Sequence, residues 1–326
     1  MERELVEHRE TAVPAPDRDA GTGGGVPPLA ARVLALQRSH GNGAVVRALA
    51  RSAPPAATDA DTATATWQRV QGHAFLQGAG DTGTVAANDV QQGQVGDCYF
   101  LASCAAVALT NPAYITRLIH ENGDGTFRVA LWDEEAHHHG FLGLGETTYT
   151  HSRWEGTLND SFLTIGGAPR YARTSGDSDA AGANELWVML LEKMWAFHEG
   201  RSYQRIAGGD TARTERALTA VSGVHSRSYR LDNSLSDQEL ANRMRNYVPG
   251  KYAVVTGIDS VPASWRPTAQ SLRVVQNHVY AVEGVNGTAK TIDLYNPWGY
   301  NHLRGLPMAS WRAMFTDFTM TTSPLR

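Results

Sequence analysis

The chain has 326 residues and a mass of 35.3 kDa, a length that favours about two or three domains over one. Apolar residues make up 42% of the chain, which is enough for a sizeable core. The formal charge is only −4 at pH 7, so no overall field attracts nucleic acid or an anionic bilayer.

No apolar run approaches the roughly 18 residues of a membrane-spanning helix. The opening segment is charged and lacks the apolar stretch of a secretory signal peptide. We therefore predict no membrane span, no nucleic-acid partner and production in the cytoplasm.

Residues 1–66 differ in composition from the rest of the chain. They hold six of the 14 prolines and no Phe, Tyr or Trp. Such a segment cannot bury enough apolar surface to fold alone, so we expect a mostly disordered arm. Within it, apolar residues on both sides of a Gly-Asn-Gly break predict a short docking helix at about 29–51.

The next part of the chain carries helix and strand patterns in turn. Apolar runs predict buried helices, alternation predicts a strand, and a segment rich in Gly, Ser, Thr and Asp predicts loops with short strands. These elements are a helix at Cys98–Leu109, a strand at Thr126–Trp132, the loops at 140–182 and a helix at Glu185–Glu199.

Beyond about residue 225 the pattern becomes that of strands, predicted at 252–256, 272–285 and 290–295. Helices followed by strands indicate an α+β protein of two lobes. We place the helical lobe at 67–225 and the β-rich lobe at 226–326.

Cys98 begins the first apolar run, directly after a turn marked by Gly93 and Gly96. At a helix start, free backbone N–H groups and the helix dipole stabilise a thiolate, the nucleophile of covalent acyl transfer. Asp97 is expected to cap this helix. The other cysteine, Cys104, lies on a different helix face and is interpreted as a buried small apolar residue.

A base for this nucleophile is predicted at His278, in a hairpin that turns at Asn286-Gly287. A two-residue and a three-residue loop give different strand registers, and only the second collects the apolar residues on one face. That register pairs Tyr280 with Leu294, Val282 with Ile292 and His278 with Asn296.

Three further side chains complete the predicted site. The Asn296 amide can hold the imidazole, and Trp298 can shield that hydrogen bond from water. Gln92, six residues before Cys98, can donate to an oxyanion beside the Cys98 backbone N–H.

The segments that carry these residues resemble those of calpain-type cysteine proteases. QGQVGDCYFLAS resembles the family's Cys motif, NHVYAVEGV its His motif and LYNPWG its Asn motif. ELWVMLLEKMWAFHEGRSYQRIAGG resembles a fourth block without a catalytic residue. The resemblance spans about 85–320 and implies a papain-like fold with Cys98 as nucleophile, His278 as acid and base, Asn296 as orienting group and Gln92 as oxyanion donor.

The chain departs from the family where calpains have an acidic, calcium-binding stretch after the Asn motif. Here the residues after Gly299 include no acidic side chain before Asp317. We therefore predict no cofactor, do not carry the family's calcium site over, and leave calcium binding open as the alternative. His137, His138 and His139 are interpreted as a solvated loop and not as a metal site.

The arm has a resemblance of its own. LQRSHGNGAVVRALAR is similar to a tract near the N-termini of bacterial proteins associated with extracellular contractile injection systems. This similarity implies a loading element that engages a carrier, and a protease delivered as a toxin or effector into a target cell without a signal peptide.

The sequence thus predicts a monomeric cysteine endopeptidase that cleaves polypeptides through an acyl-enzyme. One alternative is an acyl transferase on the same fold, of the transglutaminase or amidase type, which an Asp in place of Asn296 would favour. The other is an inactive cargo or scaffold protein. The joint presence of Cys98, His278, Asn296 and Gln92 argues against this alternative, because an inactive protein has no physical reason to keep all four.

Overall fold

The computed structural model describes residues 65–326, apart from 79–80, 142–143, 232–233 and 249. Residues 1–64, which make up nearly all of the predicted arm and include its docking helix at 29–51, lie outside the described residues. None of the helices in the described part has the length and apolar character needed to cross a bilayer.

Helices and strands alternate along the described chain. The α-helices are α1 (Cys98–Thr110), α2 (Ala113–Thr116), α3 (Trp187–His198), α4 (Tyr203–Ile206), α5 (Thr211–Ser222), α6 (Asp237–Tyr247), α7 (Arg266–Leu272) and α8 (Met308–Met314). Short 3-10 turns lie at Ala87–Asp89 and Ala263–Trp265. The mixture of helices and sheets agrees with the predicted α+β class.

The strands of the first half form small sheets. They are β1 (Thr66–Arg69), β2 (Gly72–His73), β3 (Ile119–Glu121), β4 (Thr126–Phe141), β5 (Leu144–Asn159), β6 (Ser161–Ile165), β7 (Ala168–Pro169) and β8 (Asn184–Glu185). The antiparallel sheets have the orders β1-β6-β7 and β3-β4-β5, and β2 pairs with β8 in parallel.

The strands of the second half build one antiparallel sheet of order β13-β12-β11-β10-β14-β9. They are β9 (Ser226–Arg230), β10 (Val254–Ile258), β11 (His278–Asn286), β12 (Thr291–Tyr295), β13 (Leu303–Pro307) and β14 (Asp317–Thr321).

The two predicted helices of the first half are confirmed, with ends shifted by one or two residues. Both are apolar on all sides, a pattern typical of buried helices, and almost every residue of each is buried. The rings of Phe100 on α1 and Trp195 on α3 stack with their centroids 5.1 Å apart. Helix α1 also packs against α5, β10 and β11, which brings its first residue, Cys98, beside the large sheet.

The prediction of loops with short strands at 140–182 was wrong for its first part. Strand β5 runs for 16 residues there and pairs with β4 along its whole length. Strand β4 continues the predicted strand Thr126–Trp132 as far as Phe141. Much of the outer hairpin is exposed, so no apolar alternation marks it. Cross-strand pairs hold it instead, and His137, His138 and His139 bond to threonine hydroxyls of β5 rather than lying in a loop.

The predicted strand at 272–285 was wrong at its beginning. Arg266–Leu272 is helical, with Pro267 in the first turn, where a missing N–H costs nothing. Arg273 ends this helix in the left-handed region at φ 56°, and the strand starts only at His278.

The large sheet contributes to two apolar cores. Ala281 and Tyr295 belong to the core around α1 and α3, whereas Tyr280, Val282 and Leu294 belong to the core under α6 and α8. Successive side chains of a strand point to opposite faces, so the sheet separates these cores. The lobe boundary at about 225 stays a prediction.

Candidate active site

Cys98 is the first residue of α1 and is partly exposed, whereas Cys104, one turn and a half further on, is buried. The preceding turn is held against a neighbouring segment, because Gln94 N–H donates to Arg170 O at 2.9 Å. At Gly93 the Tyr171 carbonyl approaches so closely that a Cβ would collide with it. The turn that presents Cys98 therefore requires glycine.

The backbone N–H groups of Val279, Tyr99 and Cys98 lie close enough to the Cys98 sulfur to stabilise its thiolate and lower its pKa. Those of Cys98 and Tyr99 belong to the helix start that the sequence predicts, and that of Val279 comes from β11. Burial outweighs them and, with the nearby Asp97 charge, raises the pKa of the thiol to about 11. The thiolate expected at neutral pH is therefore not the form that this unliganded geometry favours.

His278 lies next to Val279 and is fixed by Asn296, with 2.9 Å between its Nε2 and Asn296 Oδ1. Because the amide oxygen only accepts, Nε2 carries the hydrogen and Nδ1 keeps its lone pair. Asn296 Oδ1 also accepts the Trp298 N–H at 3.0 Å, which fixes the amide.

The rings of Trp298 and Tyr280 enclose the imidazole, each with its centroid 5.0 Å from that of His278. Burial lowers the pKa of His278 to about 4, although the hydrogen bond to Asn296 acts in the opposite direction. His278 is therefore neutral at pH 7 in this state, as is the Cys98 thiol.

The predicted hairpin register was wrong, although the predicted face was right. The structure pairs Val282 with Leu294 and Val285 with Ile292, and a bulge at Glu283 separates these pairs. The bulge restores the phase of the strand, so Tyr280, Val282, Ile292 and Leu294 still share one core. Pairing stops at Ala281 and Tyr295, so His278 reaches Asn296 from beyond the ladder and does not lie directly opposite it.

Gln92 joins the helix start to the Asn296 segment, since its backbone N–H donates to Pro297 O at 2.8 Å. Its side-chain Nε2 donates to Val95 O at 2.7 Å and more weakly to Asp97 Oδ1 at 3.3 Å. Both amide hydrogens are thus engaged within the protein, and donation to an oxyanion requires that the longer bond open. The oxyanion role of Gln92 stays a prediction.

Asp97 does not cap α1 with its side chain, contrary to the expectation. The carboxyl turns inward to Gln92 and to Glu192 of α3. The sequence does not predict the role of Glu192, because this residue lies within an apolar helix pattern. Its partner, Asp97, is distant in the chain and cannot be identified from neighbouring residues.

A cluster of acidic side chains, drawn from segments before and after Cys98, was also missed. Carboxylate oxygens of Asp81, Asp89 and Asp177 lie within 4.8 Å of one another, and Asp89 Oδ1 is buried without a hydrogen-bond partner. Burial and neighbouring acids raise the pKa of Asp89 to about 6 and that of nearby Glu185 to about 8. Hard carboxylate oxygens with an unused buried acceptor fit a cation such as Ca²⁺.

Comparison with known proteins agrees with this geometry. Residues 48–313 match the calpain family of cysteine proteases. The chain belongs to this family, whose members are cysteine-type peptidases and thus hydrolases.

Individual relatives are distant and longer. The chain is 25% identical to mouse Calpain-9 over 67% of its own length and 29% of that protein. It is 28% identical to the rice calpain-type cysteine protease ADL1 over 67% of its length and 9% of that protein. With a thiol protease of Porphyromonas gingivalis the identity is 27%, over 70% of this chain and 47% of that protein. The chain thus spans less than half the length of these relatives.

The pKa of His278 predicts a pH-dependent stability. Below its usual pKa of 6.5 the unfolded chain binds a proton at His278, whereas the folded chain does so only near pH 4. This residue's contribution to stability is therefore complete above pH 6.5 and is lost as the pH falls towards 4. Between pH 7 and pH 5, His278→Gln should reduce the fall in the free energy of unfolding by about 2 kcal/mol, measured by urea titration.

The matched control is His120→Gln, which changes an exposed histidine of β3. We expect it to leave the pH dependence of the wild type unchanged. An equal loss of stability in wild type and His278→Gln would contradict the buried, neutral state of His278.

Proposed function

We propose that this chain is a calpain-like cysteine endopeptidase that cleaves polypeptides between two papain-like lobes. The observation that carries the proposal is the meeting of Cys98 with β11: the Val279 N–H lies close to the sulfur, and the adjacent His278 is held by Asn296 at 2.9 Å. Nucleophile, base and orienting group are thus supplied from α1, β11 and the end of β12.

The proposed reaction starts from the neutral thiol and imidazole. His278 Nδ1 takes the thiol proton as sulfur attacks the peptide carbonyl, so charge separation accompanies the attack. The imidazolium then gives its proton to the leaving amine, and a thioester remains on Cys98. Water, deprotonated by the same imidazole, adds to the thioester and releases the acid and the thiol.

The oxyanion of each tetrahedral intermediate needs donors close to Cys98. The Cys98 backbone N–H is one candidate, and the Gln92 amide is the other once its bond to Asp97 opens. An acyl transferase would form the same thioester and differ only in its acceptor, so the products distinguish the two reactions.

A peptide-based epoxysuccinyl inhibitor should form one adduct, on Cys98, because this thiol is partly exposed at a helix start beside the His278 strand, whereas Cys104 is buried. Cys98→Ala should lose at least about a thousandfold in peptide hydrolysis, since the reaction then has no nucleophile. Mass spectrometry of labelled peptides and of the cleavage products measures both effects.

Cys104→Ala is the matched control, and we expect it to retain labelling and activity within a few-fold. Labelling at Cys104, or activity retained in Cys98→Ala, would contradict the mechanism. Products joined to an added amine instead of water would favour the transferase alternative.

We also propose that Asp81, Asp89 and Asp177, with Glu185 nearby, bind calcium. The cluster supplies carboxylate oxygens that now repel one another and an unpartnered Asp89 Oδ1. The segment from Asp89 leads directly to Gln92, so a bound cation would stabilise the approach to Cys98. The expectation of no cofactor concerned the segment after Asn296 and left calcium open, and this cluster lies outside that segment.

Calcium should raise the melting temperature of the wild type and bind with measurable heat in isothermal titration. Binding should weaken as the pH falls below about 6, because protons then compete for Asp89. Asp89→Asn should abolish both effects, whereas Asp259→Asn, an exposed carboxyl outside the cluster, should not. An equal calcium response in the two variants would contradict the site.

We propose finally that the arm at 1–66 loads the protease into a contractile injection carrier, through the tract at 36–51. The support is the similarity of LQRSHGNGAVVRALAR to carrier-associated proteins together with the composition of the arm. The proposal makes the protease an effector or toxin cargo.

Deletion of 1–64 should leave hydrolysis of a short peptide within a few-fold of the full chain, because the proposed residues Cys98, His278, Asn296 and Gln92 all lie outside that segment. The same deletion should abolish recovery of the protein in purified carrier particles. Replacement of the tract by a scrambled sequence of equal length is the control for length. Loading without the tract would overturn this role.

A further inference from the structure

Asp97 and Glu192 form a buried carboxyl pair directly behind the candidate nucleophile. Their side chains hydrogen-bond to each other, and their residues are only 0% and 1% exposed. Asp97 precedes Cys98 at the start of α1, and Glu192 lies in the middle of α3. The pair therefore connects the two central helices of the first core.

The four carboxylate oxygens of the pair accept few hydrogen bonds from the surrounding protein. Both Glu192 oxygens accept from the Ala172 N–H at 2.9 Å, and Asp97 Oδ1 accepts from Gln92 Nε2 at 3.3 Å. With both carboxyls ionised, Asp97 Oδ2 is buried and has no hydrogen-bond partner. Within the described residues, no Lys or Arg forms a salt bridge with either carboxyl.

Two carboxylates without a cation cannot both be charged in a buried site, because the cost of removing two like charges from water is prohibitive. A hydrogen bond between two carboxyl groups itself requires one proton. Burial raises the pKa of Asp97 to about 7 and raises that of Glu192 well above its usual range, so Glu192 is the carboxyl that holds the proton and donates it to Asp97. The pair thus carries one negative charge.

This charge bears on the site in two ways. It lies beside Cys98 and opposes ionisation of the thiol. It also attracts the Gln92 amide, whose Nε2 would otherwise be held only by Val95 O. The other titratable groups that face the pair are Tyr99, Tyr203 and Cys104, none of which is a cation.

We propose that Asp97 and Glu192 are positioning residues of the Cys98 site, in which one shared proton maintains a single negative charge beside the thiol and holds the Gln92 carboxamide. The proposal rests on the proposed function for the roles of Cys98 and Gln92. Its central claim is that a proton on Glu192 keeps Asp97 ionised. This claim is about the folded protein and can be tested without peptidase activity.

The test is the pH dependence of Cys98 alkylation by iodoacetamide, followed by peptide mass spectrometry on the full chain. Asp97→Asn removes the adjacent charge, and Glu192→Leu removes the proton donor, so that Asp97 becomes protonated. Both should lower the midpoint of alkylation by about one pH unit. At pH 8 the rate should rise about threefold, since a tenfold gain in thiolate is partly offset by lower nucleophilicity.

Glu192→Gln is the conservative variant, because its amide N–H replaces the shared proton and keeps Asp97 ionised. It should retain the wild-type midpoint. If Glu192 had only a structural role, Glu192→Gln and Glu192→Leu would be expected to give the same midpoint. Unchanged midpoints in folded Asp97→Asn and Glu192→Leu would overturn the proposal, as would a shift in Glu192→Gln equal to that in Glu192→Leu.

If the first two variants do not fold, infrared difference spectra of wild type and Glu192→Gln decide the question at neutral pH. A protonated carboxyl band present in the wild type and absent from Glu192→Gln supports the pair. Its absence from the wild type overturns it. Failure of the endopeptidase proposal would instead appear as missing hydrolysis and missing epoxysuccinyl labelling, with the alkylation midpoints unaffected.

Discussion

The contact between the start of α1 and strand β11 is the interaction on which the candidate site depends. It arises from the two-residue period of the large sheet, which directs Ala281 and Tyr295 into the core of α1 and Tyr280 and Val282 into the opposite core. Because neither core can shift without disturbing the other, the Val279 N–H is held at the Cys98 sulfur. The position of the site is thus a consequence of how two apolar cores share one sheet.

Burial, more than charge, sets the protonation of the groups around this contact. It favours a neutral thiol at Cys98, a neutral imidazole at His278 and a retained proton in the Asp97–Glu192 pair. In each case the protein has placed a titratable group where water is scarce and has supplied hydrogen bonds in place of counter-ions. A resting ion pair is therefore not required, and proton transfer during attack is the natural course of the proposed reaction.

The sequence predicts what is encoded locally and misses what depends on distant partners. The helices at Cys98 and Trp187 were found because their apolar residues form unbroken patterns. The outer part of the β4–β5 hairpin was missed because it is stabilised by cross-strand pairs and not by an apolar face. The turn at 287–290 is longer than predicted and changed the register, while the bulge at Glu283 preserved the face, and alternation reports the face alone.

The acidic groups around the site show the same limit more strongly. Asp81 and Asp177 are far apart in sequence, and Glu192 lies in a helix whose pattern indicates only core. What joins them is the segment from Asp89 to Asp97, which has an acidic group at each end and is fixed between them.

Hydrogen bonds connect the segment at 89–97 to the residues on either side of Asn296. Tyr295 donates to Val90 O at 3.0 Å, and the Gln92 N–H donates to Pro297 O at 2.8 Å. The proposed cation at Asp89 and the proposed proton at Glu192 would therefore act at the two ends of one segment. Both would affect Cys98 and Asn296 through the backbone around Gln92, and so through the geometry of a single turn.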